Sequence, residues 1–458
     1  LMLLLNSFVY YGIGYGLLSG HETGEQLLGL FTLGNALIHF LVSTYVYRKK
    51  LADKNLFYLV SGMVLIFITI AIPVQLNGHW VTLLWVLEAT LLFWIGRSKK
   101  ISIYEKLSYP LMLLATLSLL QDWNLAYDSF AKDNLPQPWF NATFLSSLLV
   151  VAAFGGIHWI SQKYPVAQTS RSQSVPERFM IFAVPGMLLG ALYFTFYLEL
   201  DNYWQQLYLD SKVAGTSLNG DYSPGTYNTY LLDFGRIWAL NYSLLFLAVL
   251  ALVNIRFLKN KVLGVVTLSL GILAAFLFLT GGLYLFSELR EGYLDRELSE
   301  YYEIGFFHVG IRYIALAFFA LLLFALKKLG DATFMKINFT IPFELFLHLG
   351  ILWILSSEWL NWMDILGSGQ SYKLGLSILW GTYALLLVVL GIWKNKRYLR
   401  LGAMVLFGFT LIKLFFYDIA SLDTIPKTVV FVSLGVLLLI VSFLYNKYKD
   451  RIPDDEDV

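Results

Sequence analysis

The few side chains that could do chemistry in this chain stand inside long apolar stretches. The clearest is Glu88, the single acid in HWVTLLWVLEATLLFWIGRSKK. A carboxyl group that is removed from water is a place to hold a proton or to act as a general base. We therefore interpret Glu88 as a candidate proton carrier or general base.

Other ionisable residues interrupt apolar stretches at a comparable depth. Three of them are the bases Arg236, Arg312 and Lys413. At 1.5 Å per helical residue, these bases lie about 10 Å from one end of their segments, and Glu88 lies about 12 Å from the end of its own. Asp233, Glu358, Asp418 and His308 lie closer to the ends of the same or other segments. A guanidinium group is a planar, bidentate donor for phosphate and carboxylate. These residues predict an outward-open cavity in which the cations receive an anion.

A purely structural role for these charges is the alternative. A charged side chain at mid-bilayer costs about 2.5–3.5 kcal/mol on insertion scales, so such groups pair with one another or line water. Asp233 and Arg236 are spaced i,i+3 and share a helix face. His308 and Arg312 share one at i,i+4. Ion pairs between helices, or long side chains that carry their charge outward, stay open as explanations.

The elements that position these residues are membrane spans. Of the 458 residues, 58% are hydrophobic and 14% charged, against about 25% charged in soluble proteins. A span needs about 20 apolar residues. We predict an all-α, polytopic transmembrane helix bundle of about fourteen spans. They lie near 1–18, 27–46, 57–76, 80–96, 104–121, 142–161, 179–200, 229–255, 262–286, 306–326, 343–363, 374–393, 398–418 and 425–445.

The distribution of Lys and Arg orients these spans. Alternate connections hold 24 basic residues, and the other set holds 6. Basic loops are retained on the cytoplasmic side, so both termini are predicted to be cytoplasmic. Residues 1–445 then form a single multi-span domain, and 446–458 a short acidic cytoplasmic tail. Because the sequence begins inside an apolar run, we expect the numbering to start partway through a longer protein.

One internal similarity suggests a parallel repeat. LLWVLEATLLFWIGRSKK resembles ILWGTYALLLVVLGIWKNKR, with Trp85 over Trp380 and Ala89 over Ala384. Both segments are predicted to run from the outside to the inside. An accidental match of leucine-rich helices is the alternative.

Two stretches carry a resemblance to a known family. PVQLNGHWVTLLWVLEATLLFWIGRSKK and LIKLFFYDIASLDTIPKTVVFVSLGVLLLIVSFLYNKYKDR resemble the bacterial predicted membrane proteins of DUF2339, a domain of unknown function. The W-x-x-E-A core that ends at Ala89 and the pair of Lys413 with Asp418 are the matching features. The resemblance implies a bacterial cytoplasmic-membrane protein, with members that are longer at the amino end, and it implies no reaction.

Three functions remain open. The first is a transporter or flippase-like carrier of an anionic or lipid-linked envelope component. The second is a membrane enzyme that transfers a sugar or acyl group from a lipid carrier at the outer face, where the long loops are rich in aromatic residues. The third is a structural scaffold in an envelope complex. We expect membrane lipids as partners, no nucleic acid, and envelope protein partners that the sequence does not identify.

Stronger signatures are absent from the sequence. It contains no cysteine, no G-x-x-x-x-G-K-[ST], no H-E-x-x-H and no G-x-S-x-G. We therefore expect no cofactor and no metal. We also expect that this chain catalyses neither ATP hydrolysis nor zinc-dependent hydrolysis.

Overall fold

The computed structural model describes residues 2–49, 54–127, 135–165, 175–213, 225–368 and 371–414, with isolated positions between 428 and 443. In these ranges the chain is all-helical, apart from an isolated antiparallel bridge of Val213 with Thr226. The helices are α1 (Met2–Leu18), α2 (Glu22–Gln26), α3 (Leu28–Lys49), α4 (Lys54–Gln75), α5 (His79–Ser98), α6 (Ser102–Ala126), α7 (Ala142–Lys163), α8 (Val175–Asp210), α9 (Tyr230–Val253), α10 (Lys261–Leu277), α11 (Leu283–Asp295), α12 (Phe307–Gly330), α13 (Thr340–Ile365), α14 (Ser371–Trp393) and α15 (Arg397–Lys413).

Nine helices in the described ranges are long and apolar enough to cross a membrane. They are α3, α5, α7, α8, α9, the continuous helix through α10 and α11, α12, α13 and α14. The predicted all-α, multi-span class is therefore confirmed. The number of fourteen spans, the side of each terminus and the single domain over 1–445 stay predictions. The spans predicted over 398–418 and 425–445 lie partly or mostly outside the described residues.

The chain divides into two compact units, Leu1–Gln206 and Leu207–Val458. In the first unit, α3 packs on α4, and α5 packs on both α6 and α7. Fully buried apolar side chains such as Val86, Met112 and Phe154 fill the space between α5, α6 and α7. In the second unit, α9 packs on α10 and α12, while α14 packs on α13 and α15.

The hairpin between α5 and α6 closes with a helix C-cap motif. The amide of Ile101 donates to the carbonyl of Gly96 at 2.9 Å, and Lys100 adopts a left-handed φ of 58°. A left-handed residue and a six-to-one hydrogen bond define the Schellman motif. The helices meet closely here, because a Cβ on Gly96 would lie 2.6 Å from the amide nitrogen of Glu105.

The hairpin between α14 and α15 repeats this closure. The amide of Lys396 donates to the carbonyl of Gly391 at 2.8 Å, and Asn395 has a φ of 48°. A Cβ on Gly391 would lie 3.0 Å from the amide nitrogen of Arg400. The two closures are separated along the chain by the same distance as the two tryptophans of the predicted repeat. This shared turn geometry supports the repeat.

A π-helical turn over Phe278–Gly282 joins α10 to α11 without ending the helix. A π turn inserts an extra residue and rotates the following side chains by about 100° around the axis. After this turn, Phe286, Leu289 and Arg290 are buried. The π turn therefore decides which residues of α11 point inward. The periodicity of the sequence does not reveal this turn.

Candidate functional site

The buried Arg312 of α12 and the half-buried Glu358 of α13 form an ion pair. Arg312 is 1% exposed, and its Nε lies 3.1 Å from Oε1 of Glu358. Its Nη2 donates to Oγ of Ser357 at 2.9 Å. The guanidinium also lies over the ring of Phe286, 5.6 Å from the ring centre. Two residues that the sequence singled out are therefore in contact.

A second buried arginine, Arg290, lies beside this pair. Arg290 is 6% exposed, and its Nη2 lies 2.9 Å from Oδ2 of Asp364 and 3.6 Å from Oε1 of Glu291. Arg290 stands one helical turn after Phe286, over whose ring the guanidinium of Arg312 lies. Sequence reasoning missed Arg290, because it assigned residues from 287 onward to an external loop, whereas α11 continues to Asp295.

Hydrogen-bond donors exceed acceptors where these two arginines meet α13. Among the described residues, the buried polar atoms without a hydrogen-bond partner include Nε and Nη1 of Arg312, Nε of Arg290, Nδ2 of Asn361 and Oε1 of Glu358. The Arg312–Glu358 contact is thus an ion pair whose angle is not that of a hydrogen bond. Asn361 is 1% exposed and one helical turn beyond Glu358. We call Arg290, Arg312, Glu358, Asn361 and Asp364 the arginine cluster.

His308 lies one turn before Arg312 on α12 and is buried. Its Nδ1 lies 3.0 Å from the carbonyl oxygen of Gly305. The imidazole packs edge-on against the rings of Tyr230 and Phe234, at 5.2 and 5.1 Å between centres. These contacts are aromatic and local, so His308 holds the start of α12 against α9.

Asp233 and Arg236 form the pair that their spacing predicts. Nη1 of Arg236 donates to Oδ1 of Asp233 at 3.1 Å. The side chain of Arg236 is nevertheless 66% exposed. This pair therefore lies on the surface of the second unit and differs from the buried pair of Arg312.

Lys413 has partners of its own. Its Nζ donates to Oγ of Ser377 at 2.8 Å and lies 5.9 Å from the ring centre of Trp380. It lines one end of an apolar groove of about 590 Å³ between α13, α14 and α15. Asp418, its predicted partner, lies outside the described residues. A single cavity shared by Arg236, Arg312 and Lys413 stays a prediction.

Glu88 meets a threonine of α4 in the first unit. Oγ1 of Thr69 lies 3.0 and 3.2 Å from the two carboxyl oxygens of Glu88, and 2.9 Å from the carbonyl oxygen of Leu65. A hydroxyl group has one proton to donate. If Glu88 carries a proton and donates it to Thr69, the threonine donates to Leu65 and all three groups are satisfied. This arrangement suits a carboxyl group that holds a proton.

Asp122 is a buried acid of α6 that sequence reasoning also missed. Oγ1 of Thr82 donates to its Oδ2 at 2.6 Å and lies 2.7 Å from Oγ of Ser118. Nδ1 of His79 lies 3.5 Å from the same carboxylate oxygen. The sequence assigned Asp122 to a loop, whereas α6 runs to Ala126. The available signal in the sequence was the pair of hydroxyl residues in otherwise apolar helices, Thr82 of α5 and Ser118 of α6, which contact each other beside Asp122.

Glu199 is a fully buried acid of α8 that fastens the connection before α7. Its oxygens accept from the hydroxyl of Tyr127 at 2.5 Å, the amide of Trp139 at 2.6 Å and Nδ2 of Asn141 at 2.6 Å. Burial and the hydrogen bond to this carboxylate raise the pKa of Tyr127, so the phenol stays a donor. Three donors account for Glu199 as a structural residue.

No group of three His, Cys, Asp or Glu side chains in the described ranges is placed to hold a metal ion. The arginine cluster offers guanidinium, carboxylate and amide groups. Such a set binds an anion by charge and by directed hydrogen bonds.

A family model described as predicted membrane protein (DUF2339) matches residues 2–448 of the chain. This confirms the resemblance inferred from the two stretches around Glu88 and Lys413. No curated protein and no solved structure matches the chain.

Proposed function

The chain belongs to the DUF2339 family of predicted membrane proteins, and we propose that it is a membrane carrier for an anionic or lipid-linked component of the bacterial cell envelope. In this proposal the arginine cluster receives the anionic group. The observation that carries it is the surplus of buried donors around Arg312 and Arg290 among the described residues. A buried donor without a partner costs about 1–3 kcal/mol, and an oxyanion supplies several acceptor lone pairs.

We also propose the orientation that this role requires. The chain crosses the bacterial inner membrane fourteen times and keeps both termini in the cytoplasm, in line with 24 basic residues on one set of connections and 6 on the other. Arg312 then lies about 10 Å beneath the outer face. The cluster is reached from outside, where envelope components are assembled.

The charge balance of the cluster favours a proton as the coupling ion. The two guanidinium groups face the carboxylates of Glu358 and Asp364 and the more exposed carboxylate of Glu291, so the cluster carries no net positive charge. A bound monoanion adds one uncompensated charge in a site of low dielectric, which is unfavourable. A proton transported together with the anion makes the overall transport step electroneutral. We assign Glu88 as the proton carrier, because its hydrogen bonds with Thr69 suit a protonated carboxyl group.

Equilibrium binding of radiolabelled inorganic phosphate to the purified chain in lipid nanodiscs tests the proposal. The informative variant is Arg312→Gln with Glu358→Gln, which removes both charges and keeps a polar side chain at both positions. We expect saturable binding by the wild type and affinity about tenfold lower or worse in this variant. A hydrogen bond to a charged group contributes about 1.5–3 kcal/mol, and 1.4 kcal/mol corresponds to tenfold.

The matched control is Lys327→Gln with Asp331→Asn, an ion pair at the surface of the same unit, which is expected to retain binding. Glu88→Gln is expected to bind phosphate normally and to lose pH-driven uptake in proteoliposomes. Equal binding by the cluster variant and the control, or no saturable binding by the wild type, would contradict the proposal.

A further inference from the structure

The segment 296–304, between α11 and α12, is held in place from two sides. At its start, Arg296 has a left-handed φ of 52°, and its amide donates to the carbonyl of Gly292 at 3.2 Å. Within it, the amides of Tyr301 and Tyr302 donate to the carbonyl of Leu298 at 3.1 and 2.9 Å. The segment is therefore a folded turn.

Tyr302 fastens this turn to the other long connection of the same unit. Its hydroxyl lies 2.6 Å from the carbonyl oxygen of Ser211 and 2.7 Å from that of Thr226. Thr226 is also bridged to Val213 by two backbone hydrogen bonds of 2.9 and 3.0 Å. A turn that is fixed in this way loses little conformational freedom when it binds a ligand.

Residues of the turn line a pocket of about 330 Å³ that is open to solvent. This volume is at the low end of the range of about 300–1,000 Å³ for small-molecule sites, and it suits a ligand of one or two rings. The lining consists of Arg296, Ser299, Glu300, Tyr301, Tyr302, Glu303 and Ile304. Tyr301 is 47% exposed, so one large aromatic side chain is open to contact.

The lining favours a neutral ligand with many hydroxyl groups. The carboxylates of Glu300 and Glu303 accept hydrogen bonds, and the Arg296 guanidinium donates them. A sugar hydroxyl can do both at once, and its bond to a carboxylate is charge-assisted. The apolar face of a sugar ring can pack on the exposed ring of Tyr301.

Charged ligands fit the pocket less well. An anion would meet two carboxylates against one guanidinium, and a cation would meet the guanidinium of Arg296. A metal ion lacks a ligand set here, because no group of three His, Cys, Asp or Glu in the described ranges is suitably placed.

We propose that the pocket of segment 296–304 binds a neutral sugar. The sugar belongs to the lipid-linked substrate, and this second statement rests on the proposed carrier function. The carrier then recognises two parts of one molecule. The anionic group goes to the arginine cluster, and the sugar goes to the turn that follows α11.

Saturation-transfer NMR with the purified chain in nanodiscs tests this inference, with methyl glucoside and N-acetylglucosamine as probes. We compare Tyr301→Ala and the double variant Glu300→Gln with Glu303→Gln. The matched controls are Glu297→Gln, on the same segment, and Tyr284→Ala, on α11, neither of which lines the pocket. Both controls leave the pocket lining intact.

We expect saturable sugar signals in the wild type and in both controls. In the pocket variants we expect affinities about two- to tenfold lower, since an aromatic contact contributes about 0.5–1.5 kcal/mol. The inference is overturned if no sugar gives a saturable signal, or if Tyr301→Ala binds like the wild type. A signal from a quaternary ammonium probe alone would assign the pocket to a cation and also overturns it.

Phosphate binding separates this inference from the proposed function. If sugar binding fails while phosphate still binds at the arginine cluster, only the sugar pocket is wrong. If the wild type binds sugar and no phosphate, the sugar pocket stands and the proposed carrier function fails.

Discussion

Arg312 places a guanidinium group where water does not reach it, and the surrounding residues only partly compensate it. Glu358 supplies the opposite charge and Ser357 supplies one acceptor. Two nitrogens of Arg312, Nε and Nη1, have no hydrogen-bond partner. An apolar segment that contains an ionisable residue is a strong signal, so the sequence was sufficient to find Arg312 and Glu358. It was insufficient for Arg290, which stands among the acids of SELREGYLDRELSE and resembles a loop residue.

The stability of the buried pair is testable at the level of these two residues. Arg312→Met leaves the half-buried carboxylate of Glu358 with the hydroxyl of Tyr313 as its remaining donor among the described residues, and we expect a loss of about 1–3 kcal/mol in the free energy of unfolding. Adding Glu358→Leu removes the isolated charge and should restore most of the loss. Unfolding in mixed micelles measures both. The exposed Arg236 is the control, and Arg236→Met is expected to change stability by about 1 kcal/mol or less.

That prediction fails if Arg312→Met is no more destabilising than Arg236→Met. It also fails if the double variant is as unstable as the single one, because the cost would then come from lost packing on Phe286 and not from the isolated charge.

At the scale of elements, two hairpins with the same closure carry the internal repeat. The sequence predicted the helices, because uninterrupted apolar runs of sufficient length form helices in lipid. The contact at each turn was not predictable, because a glycine in a helix has many roles. Only the structure shows that Gly96 lies against Glu105 and Gly391 against Arg400. The π turn before α11 was not predictable either, because the glycines at its end do not distinguish it from an ordinary helical turn.

The two hairpin glycines should respond alike to substitution. We expect Gly96→Ala and Gly391→Ala each to destabilise the protein by about 1–3 kcal/mol, because the added Cβ meets backbone at 2.6 and 3.0 Å. Gly402→Ala, on α15, is the matched control, since a Cβ there meets nothing within 4 Å. It should be neutral or stabilising by about 0.5–1 kcal/mol. Thermal unfolding compares the three, and equal effects would show that the hairpin contacts are unimportant.

At the scale of the whole molecule, both the distribution of Lys and Arg along the sequence and the burial of two arginines are typical of a membrane protein. Lys and Arg are concentrated on one set of the connections predicted from the sequence, and the second unit buries two arginines against acids of α13. Composition was enough to predict a multi-span membrane protein. The sequence did not predict which polar residues share a site, because that depends on how far α6 and α11 extend and on how each helix is rotated. This is why Asp122 and Arg290 were missed.

The most direct test of the account is the accessibility of Ser357, which accepts a hydrogen bond from Arg312. Because the sequence contains no cysteine, single variants can be labelled without background. Ser299→Cys reports the predicted outer side and Ser98→Cys the predicted cytoplasmic side. We predict that an anionic, membrane-impermeant thiosulfonate modifies Ser357→Cys from the side that labels Ser299→Cys, and that inorganic phosphate slows this reaction alone. Labelling of Ser357→Cys only from the side of Ser98→Cys, or at a rate that phosphate leaves unchanged, would contradict an outward-facing anion site.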